Sequence, residues 1–287
     1  MERIADALSP ASLEEALTIL ASRRDAIPIA GGTNVVVALR EGVHWGKALV
    51  DVSRLAELRG VGRQGDEIVV GGGTTLAAIL ESDLIAAEGR PLHQAARAFA
   101  NPLVRNRATV AGNLVDASPA ADTAPALLAL EADVALASVH GERWVPLNEF
   151  FRGPNQTVRR PDELLIAVRW PVPPPRSAGA FHKLALRKGT ACSVLSVAVM
   201  IQLDGHGVVA RARIALGAAA PQAIRARAAE EALVDGRLTP TTIGVAAGLA
   251  SQAAQPIDDV RSTGDYRRRM VAVVTRRLLA QVMDELE

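Results

Sequence analysis

Apolar and polar positions in the first part of the chain follow the pattern of a small β-α-β unit. Residues 12–15 have the spacing of a helix capping box, and apolar side chains recur after them at the spacing of an amphipathic helix. Two short apolar runs, residues 27–30 and 48–52, are predicted to be buried strands, and a glycine pair ends the first run. We therefore expect a first subdomain at about residues 1–55.

A second block of strand and helix patterns runs from about residue 56 to 175. Residues 67–70 are predicted to be a strand, and glycines at 71–73 lead from it into a helix that begins with hydroxyl side chains. The other predicted elements of this block are helices at 91–100 and 124–132 and strands at 133–139, 143–146 and 163–170. This block is interpreted as a second α/β subdomain.

The proline-rich run 171–175 is the clearest linker, because proline cannot donate to a sheet. Beyond it, residues 176–287 are predicted to form a smaller domain, with a hairpin turn at 204–207. Its predicted elements are three strands at 180–186, 193–203 and 208–216, followed by helices at 224–233, 241–254 and 266–286. The predicted fold is α+β: an N-terminal domain of two α/β subdomains, residues 1–175, then a C-terminal domain with a three-stranded antiparallel sheet and helices.

The stretch from Arg105 to Asp122 has neither the period of a helix nor that of a strand. It mixes small residues, hydroxyls, an Asp and a Pro. A long connection of this kind is usually either functional or disordered. Because a helix-like apolar run follows it directly, disorder is disfavoured, and we interpret the stretch as an ordered binding loop.

Composition excludes several classes of function. A length of 287 residues favours about two domains, and 49% hydrophobic with 22% charged residues is ordinary for a soluble globular protein. A net charge of +1, with charges spread along the chain, argues against a nucleic-acid groove. No run approaches the ~20 apolar residues of a membrane span, and acidic residues near the start argue against a signal peptide. We expect a cytoplasmic protein without a membrane span.

Cys192 is the single cysteine. It excludes an intramolecular disulfide, and it also excludes a cysteine-ligated zinc or iron–sulfur site made by this chain alone. The histidines are scattered and mark no general base: His44, His93, His140, His182 and His206. We predict neither a catalytic residue nor a metal site.

The glycines at 31–32 and 71–73 each follow a predicted strand. Glycine permits positive φ, and successive free amides form a nest for an anion such as pyrophosphate. Neither turn matches the dinucleotide or P-loop fingerprint. A lone glycine turn is more often only a tight turn, but here two such turns and a Gly112–Asn113 pair occur in one predicted domain. That coincidence favours a ligand site.

Polar residues of the predicted loop suit a ligand with a pyrophosphate and a polyol. Thr109 and Asn113 can each donate and accept, and Asp122 can accept from a hydroxyl. Phe99 offers either core packing or a face on which an aromatic ring can stack. The residues alone therefore predict a two-domain protein that binds a phosphorylated, nucleotide-like ligand.

Taken together, these motifs resemble the flavin-bearing medium subunit of the molybdenum hydroxylases, the family of the xanthine dehydrogenases and aerobic carbon monoxide dehydrogenase. Residues 30–34 resemble its first FAD loop, and residues 70–75 resemble its second glycine turn. The most specific match is residues 105–113 with 117–122. The family usually has glycine at the position of Ala111. The resemblance covers nearly the whole chain.

The resemblance implies FAD extended between a PCMH-type FAD-binding domain and a C-terminal CO dehydrogenase flavoprotein-like domain. The pyrophosphate would lie on the amides of residues 31–35, and Phe99 would lie against the isoalloxazine. Lys183 or Arg187 is a candidate for a positive group near the flavin pyrimidine edge. The implied cofactor-binding residues are Ala30, Gly31, Gly32, Thr33, Asn34, Val35, Gly72, Thr74, Thr75, Phe99, Thr109, Gly112, Asn113, Asp122, Leu164 and Lys183.

The resemblance also implies partners. A large molybdopterin-binding subunit would hydroxylate the substrate, and a small subunit with 2Fe-2S clusters would pass electrons to FAD on this chain. FAD would then reduce an external acceptor, in a complex expected to be a dimer of heterotrimers. The chain departs from the family after the lysine, where an Arg-Arg pair and an Asp are common and residues 187–192 read Arg-Lys-Gly-Thr-Ala-Cys.

Two alternatives from other classes stay open at this point. One is a stand-alone FAD oxidase or reductase of the vanillyl-alcohol-oxidase-like class, against which the lack of a marked general base argues. The other is a cofactor-free assembly scaffold, against which the intact glycine loops argue.

Overall fold

A computed structural model describes residues 4–187 and 189–287. The first subdomain contains β1 (Asp6–Leu8), α1 (Leu13–Ser22), β2 (Ala26–Ile29), α2 (Val35–Arg40) and β3 (Ala48–Asp51). Its strands form a parallel sheet in the order β1–β3–β2. The predicted β-α-β unit is confirmed, and β1 is an addition that the pattern does not mark because it is short and mostly exposed.

Two details of this subdomain differ from the expectation. β2 is half-buried rather than buried, because it is an edge strand of the sheet. The Ser12 hydroxyl accepts from the Glu15 amide at 3.2 Å, as a capping box requires. The Glu15 carboxylate, however, accepts from the Ala11 amide at 2.6 Å instead of reaching the Ser12 amide. Only half of the predicted capping box therefore forms.

A 3₁₀ turn at Ala56–Leu58 leads into the second subdomain. Its elements are β4 (Val61–Gln64), β5 (Glu67–Gly71), α3 (Leu76–Glu81), α4 (Asp83–Glu88), α5 (Arg90–Ala98), α6 (Pro102–Arg105), α7 (Val110–Val115), α8 (Thr123–Ala129), β6 (Asp133–Ser138), β7 (Gly141–Pro146), α9 (Leu147–Phe150), β8 (Phe151–Gly153), β9 (Gln156–Thr157) and β10 (Leu164–Pro171). The main sheet is antiparallel throughout, in the order β4–β5–β10–β6–β7. β10 continues through Pro171, which lies opposite Glu67, so sheet pairing extends into the predicted linker.

The interpretation of residues 105–122 as one aperiodic loop is wrong in part. The segment begins at the end of α6 and contains the whole of α7. Both helices begin at a side-chain cap: the Asn101 Oδ1 accepts from the Val104 amide, and the Thr109 hydroxyl accepts from the Gly112 amide. Helices of four and six residues are too short to produce a visible helical period.

The C-terminal domain contains β11 (Ser177–Ala185), β12 (Ser193–Leu203), β13 (Val209–Gly217), β14 (Ile224–Arg225), α10 (Arg227–Glu231), α11 (Pro240–Ala253) and α12 (Gly264–Leu286). The three long antiparallel strands and the helices agree with the prediction. The predicted helix over 224–233 starts later, because Ile224–Arg225 pairs with β13 as a short fourth strand. The sheet order is β11–β12–β13–β14.

The two domains share a large apolar interface around α8. Every residue of α8 is buried, and the helix packs against β12 and β13 as well as against α5. Phe181, Ala198 and Ala215 of the C-terminal sheet belong to the same apolar core as the N-terminal domain. Beside this core, the Glu131 carboxylate forms an ion pair with Arg213, with Nε 2.7 Å from Oε1, and accepts a hydrogen bond from Arg225 at 3.3 Å across the boundary. The domains are therefore joined by both apolar packing and ion pairs.

Candidate functional site

The turn between β2 and α2 presents a row of backbone amides. No described residue accepts a hydrogen bond from the amides of residues 31–35. Gly32 has a φ of 73°, which glycine adopts without strain, and its carbonyl accepts from the Val36 amide at 3.0 Å. A chain of free amides in a tight turn is the arrangement that binds an anionic group.

This first turn touches the segment that precedes α7. A Cβ atom at Gly31 would overlap the carbonyl oxygen of Arg107, so the two main chains meet only because residue 31 is glycine. The Arg107 guanidinium also donates from Nε to the Gly31 carbonyl at 3.4 Å. Arg107 is exposed and adds a positive charge beside the free amides. The sequence does not mark Arg107 as a site residue, because this contact joins positions far apart in the chain.

The second glycine turn is joined to α7 in a similar way. The Gly72 amide donates to the Ile166 carbonyl at 2.7 Å, and the Gly72 carbonyl accepts from the Ala111 amide at 2.9 Å. A Cβ at Gly72 would overlap the Leu165 carbonyl and would lie 3.0 Å from the Ala111 Cβ. The methyl group of Ala111 is therefore accommodated by glycine at position 72. The structure thus brings both glycine turns and α7 together.

The threonines of this region hold the turns in place through their hydroxyls. Thr74 Oγ1 bonds both the amide and the carbonyl of Gly60, at 3.1 and 3.0 Å. Thr75 caps α3 by accepting from the Ala78 amide at 3.2 Å, and Thr109 caps α7. The amides of Thr75 and Thr109 have no acceptor within the described part of the chain. Their main chains, rather than their hydroxyls, are available to a ligand.

Asn113 connects α7 to the start of α8. Its Oδ1 accepts from the Thr123 amide at 3.3 Å and from the Thr123 hydroxyl at 2.6 Å. The side chain therefore has a structural role that the sequence does not reveal. Its Nδ2 makes no hydrogen bond to the residues that the structure describes, so this end of the side chain can still donate to a ligand.

Asp122 and Lys183 form a buried ion pair across the domain boundary. The Lys183 Nζ lies 2.6 Å from Asp122 Oδ2, and the two side chains are 7% and 5% exposed. The Ser193 hydroxyl donates to Asp122 Oδ1, also at 2.6 Å. Burial raises the pKa of Asp122, although Lys183 and Ser193 both favour its charged form. Each carboxylate oxygen thus has a partner within the protein.

Lys183 also lines a cleft of about 380 Å³. The cleft lies between Ala98, at the end of α5, and the segment that follows β11, including Arg187 and Thr190. Phe99 follows Ala98 directly and is half-buried against the main core. A volume of this size suits a flat ring system.

The cleft is connected to the glycine turns by the segment of residues 99–107. The Asn101 side chain donates to the Thr190 hydroxyl at 3.0 Å, and the Arg105 guanidinium donates to the Phe99 carbonyl at 2.8 Å. One wall therefore runs from the cleft along this segment to the turn that contacts Gly31. This segment therefore joins the cleft to the turn with the free amides.

Leu164 and Arg187, two residues considered for the flavin site, make contacts within the protein that restrict their side chains. Leu164 is 6% exposed and packs in a small apolar core with Val50 and Leu55, so its side chain serves the junction between the two subdomains. The Arg187 guanidinium donates to the carbonyls of Gly189 and Thr190, the latter at 2.7 Å. Arg187 is thus bonded to its own turn, and Lys188 of the same run lies outside the described residues.

The remaining predicted residues belong to the first glycine turn and to α7. Ala30, Thr33, Asn34 and Val35 belong to the first turn and its entry into α2, where Asn34 is exposed. Gly112 lies in the first turn of α7 and is exposed. Within the described residues there is no cluster of metal-ligating side chains and no helix long and apolar enough to cross a membrane.

Known proteins share both the sequence pattern and the fold. Residues 3–173 match the family of the FAD binding domain in molybdopterin dehydrogenase, and residues 180–282 match the CO dehydrogenase flavoprotein C-terminal domain. The chain is 30% identical to a putative xanthine dehydrogenase FAD-binding subunit of Escherichia coli K12, covering 95% of this chain and 94% of the relative. It is 29% identical to the carbon monoxide dehydrogenase medium chain of Hydrogenophaga pseudoflava, covering 94% of each.

The solved structure of reconstituted CO dehydrogenase from Oligotropha carboxidovorans superposes on the fold with a TM-score of 0.94, at 29% identity over 99% of both chains. The likeness covers both domains. The chain therefore belongs to the family of FAD-binding flavoprotein subunits of the molybdopterin dehydrogenases, whose members include the xanthine and carbon monoxide dehydrogenases.

Proposed function

We propose that this chain carries FAD as the electron-transfer subunit of a molybdenum hydroxylase complex. The observation that carries the proposal is the segment of residues 99–107, which is bonded at one end to the cleft lined by Lys183 and at the other to the turn with the free amides of residues 31–35. Bound FAD supplies the redox chemistry by accepting and releasing electrons, while the protein binds it, orients it and sets its electrostatic surroundings. We propose that the boundary between the two domains lies at about residue 175.

The residues of the wall fit the parts of FAD. The free amides of residues 31–35 suit the pyrophosphate, and the Arg107 guanidinium adds a positive charge beside them. The amides of Thr75 and Thr109 and the free Nδ2 of Asn113 suit the phosphates and the ribityl chain. The cleft beside Phe99 and Lys183 suits the isoalloxazine ring.

The partners belong to the same proposal. A large molybdopterin-binding subunit would pass electrons to the 2Fe-2S clusters of a small subunit. The clusters would reduce FAD on this chain, and FAD would reduce an external acceptor. The names of the relatives support this, since they describe an FAD-binding subunit and medium chains of larger dehydrogenases. We expect two copies of each of the three subunits in the complex.

Co-purification with the neighbouring subunits tests the proposal. We expect the tagged full-length chain to retain FAD, and we expect its partners to contain molybdenum and iron in addition. Substrate turnover by this chain alone would instead support a stand-alone oxidase or reductase. A folded chain that takes up no flavin after incubation with FAD would support a cofactor-free scaffold.

Replacing Asn113 with alanine is expected to lower both FAD retention and stability. The Thr123 amide and hydroxyl lose their shared acceptor, which should reduce the free energy of unfolding by about 1–3 kcal/mol. Urea denaturation with and without FAD measures the two effects. Asn148→Ala, at an exposed position of α9, is the matched control and should change neither. Wild-type stability of Asn113→Ala would show that the Thr123 bonds contribute nothing.

A further inference from the structure

Ser193, the first residue of β12, is fully buried at the boundary between the domains. Its hydroxyl donates to Asp122 Oδ1, while the Lys183 ammonium donates to Asp122 Oδ2, both at 2.6 Å. The carboxylate is therefore fixed by two donors, one on each oxygen. Because the same carboxylate holds Lys183, the orientation of that ammonium depends on Ser193.

Ser193 is itself held in place from the opposite side. Its carbonyl oxygen accepts from the Arg261 guanidinium at 3.2 Å. Asp259 binds Arg261 in turn, with Nε of the arginine 3.0 Å from Oδ2, and also binds Arg267 of α12, which is 2% exposed. These arginines lower the pKa of Asp259 and keep it charged. A chain of polar contacts thus runs from the C-terminal helix to Ser193 and on to the cleft.

We propose that Ser193 is a positioning residue for FAD, which acts through Asp122 to hold the side chain of Lys183, a residue that lines the cleft. The inference rests on the proposed function, because it takes FAD as the ligand of the cleft. Ser193 does not line the cleft itself, so its effect on the cofactor passes through the ion pair. The charge of Lys183 is then kept at one place beside the bound flavin.

A positioning role and a purely structural role predict different pH behaviour. Lys183 on β11 is the charged group that faces Asp122 among the described residues, and β12 adds the Ser193 hydroxyl. Burial already raises the pKa of Asp122, so loss of the Ser193 hydrogen bond should raise it further. Protonated Asp122 no longer attracts the ammonium as a counter-ion. FAD affinity is therefore expected to decrease as the pH is lowered, and this decrease should begin at a higher pH when the Ser193 hydroxyl is missing.

The test is the Kd of the full-length chain for FAD, measured by quenching of FAD fluorescence from mildly acidic to mildly basic pH. Ser193→Ala should weaken binding about tenfold near neutral pH and move the acid-side loss of affinity to higher pH. Ser193→Thr keeps the hydroxyl and should restore both values toward wild type. Ser196→Ala is the matched control, because Ser196 is equally buried on the same strand but its hydroxyl has no hydrogen-bond partner in the described structure.

The outcomes separate this inference from the proposed function. A wild-type chain that binds no FAD overturns both. If the wild type binds FAD and Lys183→Met weakens binding, a Ser193→Ala variant with wild-type affinity and pH profile overturns the positioning role alone. A lower melting temperature of Ser193→Ala with an unchanged pH profile also overturns it. Should Ser193→Thr fail to fold, the pH profile of Ser193→Ala decides the question.

Discussion

Replacing Gly32 with valine should leave the full-length chain without bound FAD. Gly32 has a φ of 73°, where a β-branched residue costs roughly 1–3 kcal/mol. A Cβ there would already lie 3.3 Å from the side chains of Ile29 and Val36, so the branched methyls would displace the turn that carries the free amides. We expect the Kd for FAD to rise roughly a hundredfold or more, equivalent to ~3 kcal/mol. Flavin content after purification measures the effect.

A matched variant separates backbone strain from loss of the cofactor loop. Gly65 has a φ of 59° in the turn between β4 and β5, and no described atom lies within 4 Å of a Cβ built there. Gly65→Val should therefore cost similar stability while binding FAD normally. Normal flavin content in a folded Gly32→Val variant would remove the first turn from the site.

Replacing Asp122 with alanine should reduce the free energy of unfolding by about 3–5 kcal/mol, because it leaves the Lys183 ammonium buried without a counter-ion. Equilibrium urea denaturation at neutral pH measures the loss. The double variant Asp122→Leu with Lys183→Met removes both charges and should recover most of the stability. It should nevertheless bind FAD poorly, since the positive charge that we propose for the flavin site is gone. An Asp122→Ala variant as stable as the wild type would show that Asp122 and Lys183 do not form the buried ion pair in solution.

The pH dependence of stability gives a second check on this pair. Burial raises the pKa of Asp122 in the folded state, so the folded protein holds this proton more tightly than the unfolded chain does. The contribution of Asp122 to the free energy of unfolding is therefore largest below its unfolded pKa. It falls as pH rises through the folded pKa. Relative to Asp122→Asn, the wild type should lose stability with rising pH across that window, and the opposite slope would contradict the burial of the carboxylate.

Much of the fold is predictable because its longer elements have strong periodic patterns. β12, for example, spans Ser193–Leu203 in both prediction and structure. The local pattern does not reveal α6 and α7, because each helix spans only a turn or two and begins at one capping side chain. The short β14 was missed for a related reason: the two residues pair with β13 only through tertiary contacts, and the local pattern looks helical.

The sequence predicts the glycine turns of the candidate site but not the contacts that join them. The glycine turns are visible because strand patterns place each turn at a strand end. The contact of Gly31 with Arg107 is invisible, since it depends on how two subdomains approach each other. The sequence does not reveal the role of the Ser193 hydroxyl either, because a lone serine at the start of a strand carries no local signal. Asp122 and Lys183 were each identified, but their bond to one another needs the packed domain interface.

The Asp122–Lys183 pair and the ion pairs of Glu131 cross the domain boundary, and Lys183 lines the proposed flavin cleft. A ligand held from both sides of a boundary acts as a reversible cross-link. Release of FAD and separation of the domains therefore become linked equilibria: free FAD at a hundred times its Kd would favour the docked state by about 2.7 kcal/mol. Cofactor supply during synthesis would thus help to decide how much of this subunit reaches a form that its partners can bind.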